Sequence, residues 1–310
     1  GKYDDIITVG EMSATSIDNC VGYTNPNNHE LSMVFSFHHL KVDYKNKEKW
    51  TLMPFDFQEL KQLLNDWQLG MQEGHGWNAL FWCCHDQPRV LSRFGDDKNY
   101  PKESAKMLAT TIHLLRGTPY IYQGEEIGMT NAYFDNIEQY QDVESLNAFK
   151  ILKQNGMSED EIYQILQSKS RDNARTPMQW NNHCYAGFSN VEPWIAVNEN
   201  YHDINVENNL KDLDSVFYYY QKLIKLRKQY SVILQGAYEP LLLDHPTIFA
   251  YKRIDQNDEI IVYNHFYDDN QSTITVDASQ YDILLSNVQR NTLEDTIILK
   301  PYESLVLIKK

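Results

Sequence analysis

Short apolar runs alternate along the first third of the chain with stretches whose apolar residues recur every third or fourth position. Residues 5–12, Asp-Ile-Ile-Thr-Val-Gly-Glu-Met, form a β-branched run that predicts a short buried strand, broken at Gly10. Met33–Phe37, Asn78–Cys84 and Pro119–Gln123 predict three more strands. Between them, Phe55–Leu69 carries Phe57, Leu60, Leu63, Leu64 and Trp67 at helical spacing. Lys102–Leu115 does the same with Met107, Leu108, Ile112 and Leu115, and Gly117-Thr-Pro follows as a helix stop. Strands separated by helices imply parallel βα units and an α/β fold. Closed barrels of this kind take about 250 residues, so residues 1–125 amount to about half of one.

The pattern then changes twice. Residues 131–213 are polar and rich in Asn and Asp, with one helical stretch near Glu159–Ser168, and read as a long loop excursion. Ser215–Gln229 predicts a strong helix through Val216, Tyr219, Tyr220, Leu223 and Leu226. From Ser231 onward short strands (Thr247–Arg253, Glu259–His265, Ser272–Val276, Ser304–Ile308) alternate with turn residues. They predict a small antiparallel β-sandwich domain over 231–310, after a partial barrel over 1–230. The longest apolar runs are far too short to span a bilayer. With 28 basic and 43 acidic residues the chain carries a net charge of −15. That field disfavours nucleic acid, and also anionic substrates unless a local basic patch receives them. Four cysteines without zinc spacing read as reduced thiols of a cytoplasmic protein.

Three segments place polar groups just beyond an apolar strand, where barrel enzymes build their sites. The first is Val9-Gly10-Glu11-Met12; taken alone the signal is weak, since a Glu at a strand end is more often a solvated loop residue. The second is the strand Phe81–Cys84 running into His85-Asp86-Gln87-Pro88-Arg89, where a structural Asp86–Arg89 ion pair is the plain alternative. The third is Gly117-Thr-Pro-Tyr-Ile-Tyr-Gln-Gly-Glu-Glu-Ile-Gly128, best read as a strand between tight turns with Glu125 and Glu126 in ion pairs.

Taken in order, these segments resemble the conserved regions of glycoside hydrolase family 13, the α-amylase family. Gly-Glu-Met is similar to the strand-five region and His-Asp-Gln-Pro-Arg to the strand-seven region. Gly-Thr-Pro-Tyr-Ile-Tyr-Gln-Gly-Glu-Glu is similar to the strand-eight region. Ser170-Arg-Asp-Asn-Ala-Arg-Thr-Pro-Met-Gln-Trp180 resembles the strand-eight loop of the oligo-1,6-glucosidase branch. The resemblance implies the C-terminal half of a (β/α)₈ barrel, strand five to helix eight, followed by the β domain. It also implies a retaining mechanism with no cofactor. Glu11 would be the general acid/base, and Asp86 the carboxylate that holds sugar hydroxyls and stabilises the oxocarbenium-like state. His85 would hydrogen-bond the same ring, and Arg175 would line the pocket. The family's nucleophile is an Asp at the end of strand four, before the first strand read here, so the 310 residues alone are expected to be inactive. Exposed sheet edges would then seek the other half-barrel or self-associate. No metal site is visible; a family calcium loop would lie upstream.

The segment Ser36-Phe-His-His-Leu-Lys-Val-Asp-Tyr-Lys-Asn-Lys-Glu-Lys-Trp50 holds four lysines in an acidic protein. A solvated loop is one reading. The stretch also resembles the same loop in family members that cleave trehalose 6-phosphate, which implies Lys41 and Lys49 as phosphate ligands. The reaction would yield glucose and glucose 6-phosphate. An oligo-1,6-glucosidase or dextran glucosidase, or a non-catalytic family member, is the alternative. Cys84 and Gln141 depart from the family, which usually has Asn and Arg there.

Overall fold

Residues 5–269 and 271–310 are described in a computed structural model of the chain. The anticipated strands pair over shorter spans: only Val9–Met12 of the first run and Pro119 of the fourth enter the ladder, and the first is not buried as expected, Ile6, Ile7 and Val9 being exposed. β1 (Val9–Met12), β2 (Met33–Ser36), β3 (Asn78–Leu80) and β4 (Thr118–Pro119) form one parallel sheet in chain order. Helices α1 (Ile17–Thr24), α2 (Phe57–Glu73), α3 (Val90–Phe94) and α4 (Pro101–His113) connect them. The apolar run after β3 outlasts the hydrogen-bond ladder because Phe81, Trp82 and Cys83 are buried by packing; the Trp82 indole donates to the Leu108 carbonyl at 2.8 Å.

The helices follow local chemistry. The Asp56 carboxylate caps α2 by accepting from the Glu59 amide at 2.9 Å, and Gly74 closes the helix. Its Phe57, Leu60, Leu64, Trp67 and Met71 face inward, each contributing about 1.5–3 kcal/mol by burial. α4 starts at Pro101, whose missing N–H leaves nothing unpaired in a first turn. At Gly117 φ is +146°, and a Cβ there would sit 2.6 Å from the Asn78 carbonyl oxygen, so only glycine admits β4 beside β3.

After β4 the polar segment contains more helix than its sequence suggests: α5 (Val143–Gln154), α6 (Glu159–Lys169), α7 (Asp172–Arg175) and α8 (Val206–Lys211). α5 escaped the sequence reading because it buries only Ser145 and Ala148 completely and leaves Val143 and Ile151 exposed. The segment has its own small core around Phe134, Tyr140, Ile162 and Leu166, and Trp50 from the lysine-rich loop packs against it.

α9 (Val216–Gln229) packs on α4, with Thr110 and Tyr219 hydroxyls 2.7 Å apart. A short α10 (Ser231–Gln235), buried through Val232 and Ile233, stands where strands were expected to begin. The strands β5 (Ala237–Leu241), β6 (Ile248–Ile254), β7 (Glu259–His265), β8 (Thr273–Thr275), β9 (Tyr281–Ser286), β10 (Thr296–Ile298) and β11 (Ser304–Lys309) follow. Five make an antiparallel sheet in the order β5-β6-β7-β11-β9, and β8 pairs with β10. One face of the large sheet packs on β8 and β10 through Ile248, Ile261 and Leu305; Phe249, Tyr251 and Val262 on the other face join the main core. Among the described residues no helix is long and apolar enough to cross a membrane.

Candidate active site

Sheet register brings the site together. Glu11 pairs with Phe35, and Phe35 with Ala79, so these residues share a row across β1, β2 and β3. Two residues further along the strands, Phe37, Phe81 and Tyr120 join Phe35 to form an aromatic floor. Phe35 meets Phe81 and Tyr120 edge-on, with centroids 5.0 and 4.7 Å apart. Such contacts add about 0.5–1.5 kcal/mol each to burial and fix the rings. Above the floor lies a cleft of about 240 Å³, rimmed by Glu11, Cys84, His85 and Tyr122.

Asp86 lies next to this rim, in a lattice of charges. Its Oδ1 accepts from Arg171 Nη1 and Arg175 Nη2, both at 3.0 Å, and its Oδ2 lies 3.3 Å from His85 Nε2. Arg175 also donates to the His85 carbonyl at 2.8 Å. Arg171 reaches Asp142 at 2.5 Å. Burial pushes the Asp142 carboxyl up, but the Arg171 hydrogen bond and charge prevail and hold it below its usual range. The two arginines are four residues apart, the spacing that puts side chains on one side of a helical turn.

The expected alternative pairing of Asp86 with Arg89 does not occur. Arg89 is fully buried and donates to the carbonyls of Gln123 at 2.5 Å and Ala174 at 3.4 Å, while its own amide donates to Asn131. It ties the ends of β3 and β4 to α7. The expected ion pairs of Glu125 and Glu126 are likewise absent from the described residues. Instead Glu125 is buried, its Oε1 accepts from the Tyr220 hydroxyl at 2.7 Å, and burial pushes its carboxyl up to about 7. The nearby Arg89 makes no hydrogen bond to it, donating instead to backbone carbonyls and the Met129 sulfur.

The lysines divide. Lys41 donates to the carbonyl of Ser13, two residues past Glu11, at 2.9 Å and forms no ion pair among the described residues. Lys49 pairs with Glu144 at 2.7 Å and lies 4.7 Å from the Trp50 ring centre. Cys84 Sγ accepts from the Asp86 amide at 3.4 Å, and burial pushes this thiol up to about 11. Gln141, exposed at its side chain, uses its amide to hold Asp172.

Sequence reasoning missed Arg171, Asp142 and Glu144. The i, i+4 spacing of Arg171 and Arg175 was a usable signal. Nothing in the sequence indicated that Asp142 and Glu144, about thirty residues earlier, would meet them.

The α-amylase catalytic-domain family matches residues 1–236. The trehalose-6-phosphate hydrolase of Bacillus subtilis (strain 168) is 54% identical over 307 residues, covering 97% of this chain and 55% of that protein. The oligo-1,6-glucosidase of Halalkalibacterium halodurans is 46% identical over 314 residues, covering 100% of this chain and 56% of that protein. The crystal structure of Bacillus licheniformis trehalose-6-phosphate hydrolase superposes with a TM-score of 0.96 at 51% identity, over 99% of this chain and 57% of that one. The chain belongs to the α-amylase family of glycoside hydrolases, whose solved relatives are α/β barrel enzymes. It spans about half the length of the relatives it matches.

Proposed function

We propose that β1–β4 are strands five to eight of a (β/α)₈ barrel, that 131–213 is its strand-eight loop, and that the antiparallel strands form a β-sandwich domain. The site then serves a retaining α-glycoside hydrolase that converts trehalose 6-phosphate and water to glucose and glucose 6-phosphate. The observation that carries this reading is convergence at the strand ends. A carboxyl from β1 rims an aromatic-floored cleft, a carboxylate beyond β3 is held by two guanidiniums, and Lys41 rests beside the end of β1 with its charge unpaired among the described residues.

Glu11 gives a proton to the glycosidic oxygen as the leaving sugar departs, and then takes one from the water that hydrolyses the glucosyl intermediate. Asp86 binds hydroxyls of the glucose ring together with His85. Arg175 acts through Asp86 and the His85 carbonyl, orienting both. Lys41 and Lys49 receive the phosphate. The nucleophile is an Asp from strand four, about 5–5.5 Å from Glu11. A cytoplasmic location accompanies this proposal, in keeping with the free thiols Cys20, Cys83, Cys84 and Cys184. β1 and β4 border the sheet, and on this reading each receives a further barrel strand.

The test compares trehalose 6-phosphate with isomaltose, using the whole protein that carries this chain. Release of glucose 6-phosphate with clear preference for the phosphorylated sugar is expected, and Glu11→Gln is expected to lower kcat by about 10²–10⁴-fold. Preference for isomaltose would replace the reading with an oligo-1,6-glucosidase. Turnover by the 310 residues alone would overturn the assignment of the nucleophile.

A further inference from the structure

Six charged side chains form one network between the lysine-rich loop and the segment from α5 to α7. Lys49, Arg171 and Arg175 supply the cations; Asp86, Asp142 and Glu144 supply the anions. Glu144 sits at the joint. Its Oε2 lies 2.7 Å from Lys49 Nζ and 3.4 Å from Arg171 Nε, and Arg171 continues to Asp86 at 3.0 Å. Three positive and three negative groups balance, so the network has no spare cation for a phosphate. Lys49 is nevertheless fixed in place: its side chain is only 19% exposed and lies against Trp50, which is packed on the small core. Glu144 is half-buried and lies in the first turn of α5, whose amide ends favour a carboxylate whatever Lys49 does.

We propose that Glu144 is a specificity-determining residue, which occupies Lys49 until a substrate phosphate displaces it. The inference rests on reading the site as one for a phosphorylated disaccharide. A phosphate monoester carries about −1.5 to −2 charge at neutral pH and outcompetes a single carboxylate for the ammonium. A sugar hydroxyl is neutral and does not displace a charge-assisted hydrogen bond. Once displaced, Glu144 keeps Arg171 and the α5 terminus as partners, so the exchange leaves no buried orphan. The ion pair therefore opposes the phosphorylated sugar, which has to open it, and leaves an unphosphorylated glucoside unaffected, so Glu144 sets how strongly the site prefers the phosphate.

The experiment measures kcat/KM for trehalose 6-phosphate and for p-nitrophenyl α-glucoside in the whole protein, and reads their ratio. Glu144→Gln keeps the shape and removes the charge. The ratio is expected to rise about 1.5- to fivefold, the range open to a partly exposed ion pair. Lys49→Ala is expected to lower the ratio, and Glu144→Asp to leave it near that of the unaltered protein. A merely structural role would lower both rates in Glu144→Gln and leave the ratio in place. If Lys49→Ala lowers the ratio while Glu144→Gln does not raise it, the phosphate site stands and the role of Glu144 is overturned. If neither Lys49→Ala nor Lys41→Ala changes the ratio, the phosphate reading itself falls, and this inference with it.

Discussion

Replacing Glu125 by Gln is expected to stabilise the protein above neutral pH. The carboxyl is 5% exposed; Oε1 accepts from Tyr220, and Oε2 has no hydrogen-bond partner. Burial, helped by the neighbouring charge of Glu126, raises it from 4.5 to about 7 against the opposing hydrogen bond of Tyr220. Between those values the folded chain keeps a proton that the unfolded chain has lost. Folding therefore binds protons, and stability falls as pH rises through that window. The deficit is complete above about pH 7 and, at about 1.4 kcal/mol per pH unit, amounts to on the order of 3 kcal/mol. Gln is neutral throughout, and its amide oxygen can accept from Tyr220 in the same way. Urea unfolding followed by tryptophan fluorescence at pH 5, 6, 7 and 8 measures the difference. Glu125→Gln is expected to gain on the original protein steadily from pH 5 to 7 and to hold its lead at pH 8. Stability curves that stay parallel across this range, or a variant weaker at pH 8, would refute the argument.

Lys41→Ala is expected to raise KM for trehalose 6-phosphate about tenfold, the loss of one charge-assisted hydrogen bond, with a much smaller effect on p-nitrophenyl α-glucoside. Equal effects on both substrates in steady-state kinetics would count against a phosphate role. Asp43 is buried between Arg93 and Lys169 at 2.6 and 2.5 Å, and joins the lysine-rich loop to α6. Asp43→Asn leaves two buried cations undercompensated and is expected to destabilise by about 3–5 kcal/mol. A urea midpoint corresponding to less than about 1 kcal/mol would show that the triad is no stronger than a surface pair.

Much of the alternation of strands and helices was legible because burial imposes a period. Leu60, Leu64, Trp67 and Met71 repeat at the helical interval, and β-branched or aromatic residues cluster in β2, β6 and β7. α1 and α5 were not legible. α1 is short and buries little completely, and α5 exposes two of its large apolar residues, so neither writes a stripe. The strand end was overextended at β3, since Phe81, Trp82 and Cys83 are buried by packing rather than by ladder pairing; at β4 only Pro119 of the anticipated run enters the ladder, and Ile121 beyond it is exposed. Glu11 and Asp86 could be named because each closely follows an apolar run, and local order along the chain preserves that relation. The roles of the charged residues could not be read in the same way. Which carboxylates Arg171 meets, that Arg89 turns to carbonyls, and that Lys49 is already occupied by Glu144 depend on groups 29 to 95 residues apart. The sequence by itself determined the alternating elements, the candidate carboxylates and the family likeness, because each is written in neighbouring residues. Only the tertiary structure decided the charge pairing around Asp86, because electrostatic partners are chosen by distance in space and by burial, and neither is encoded locally.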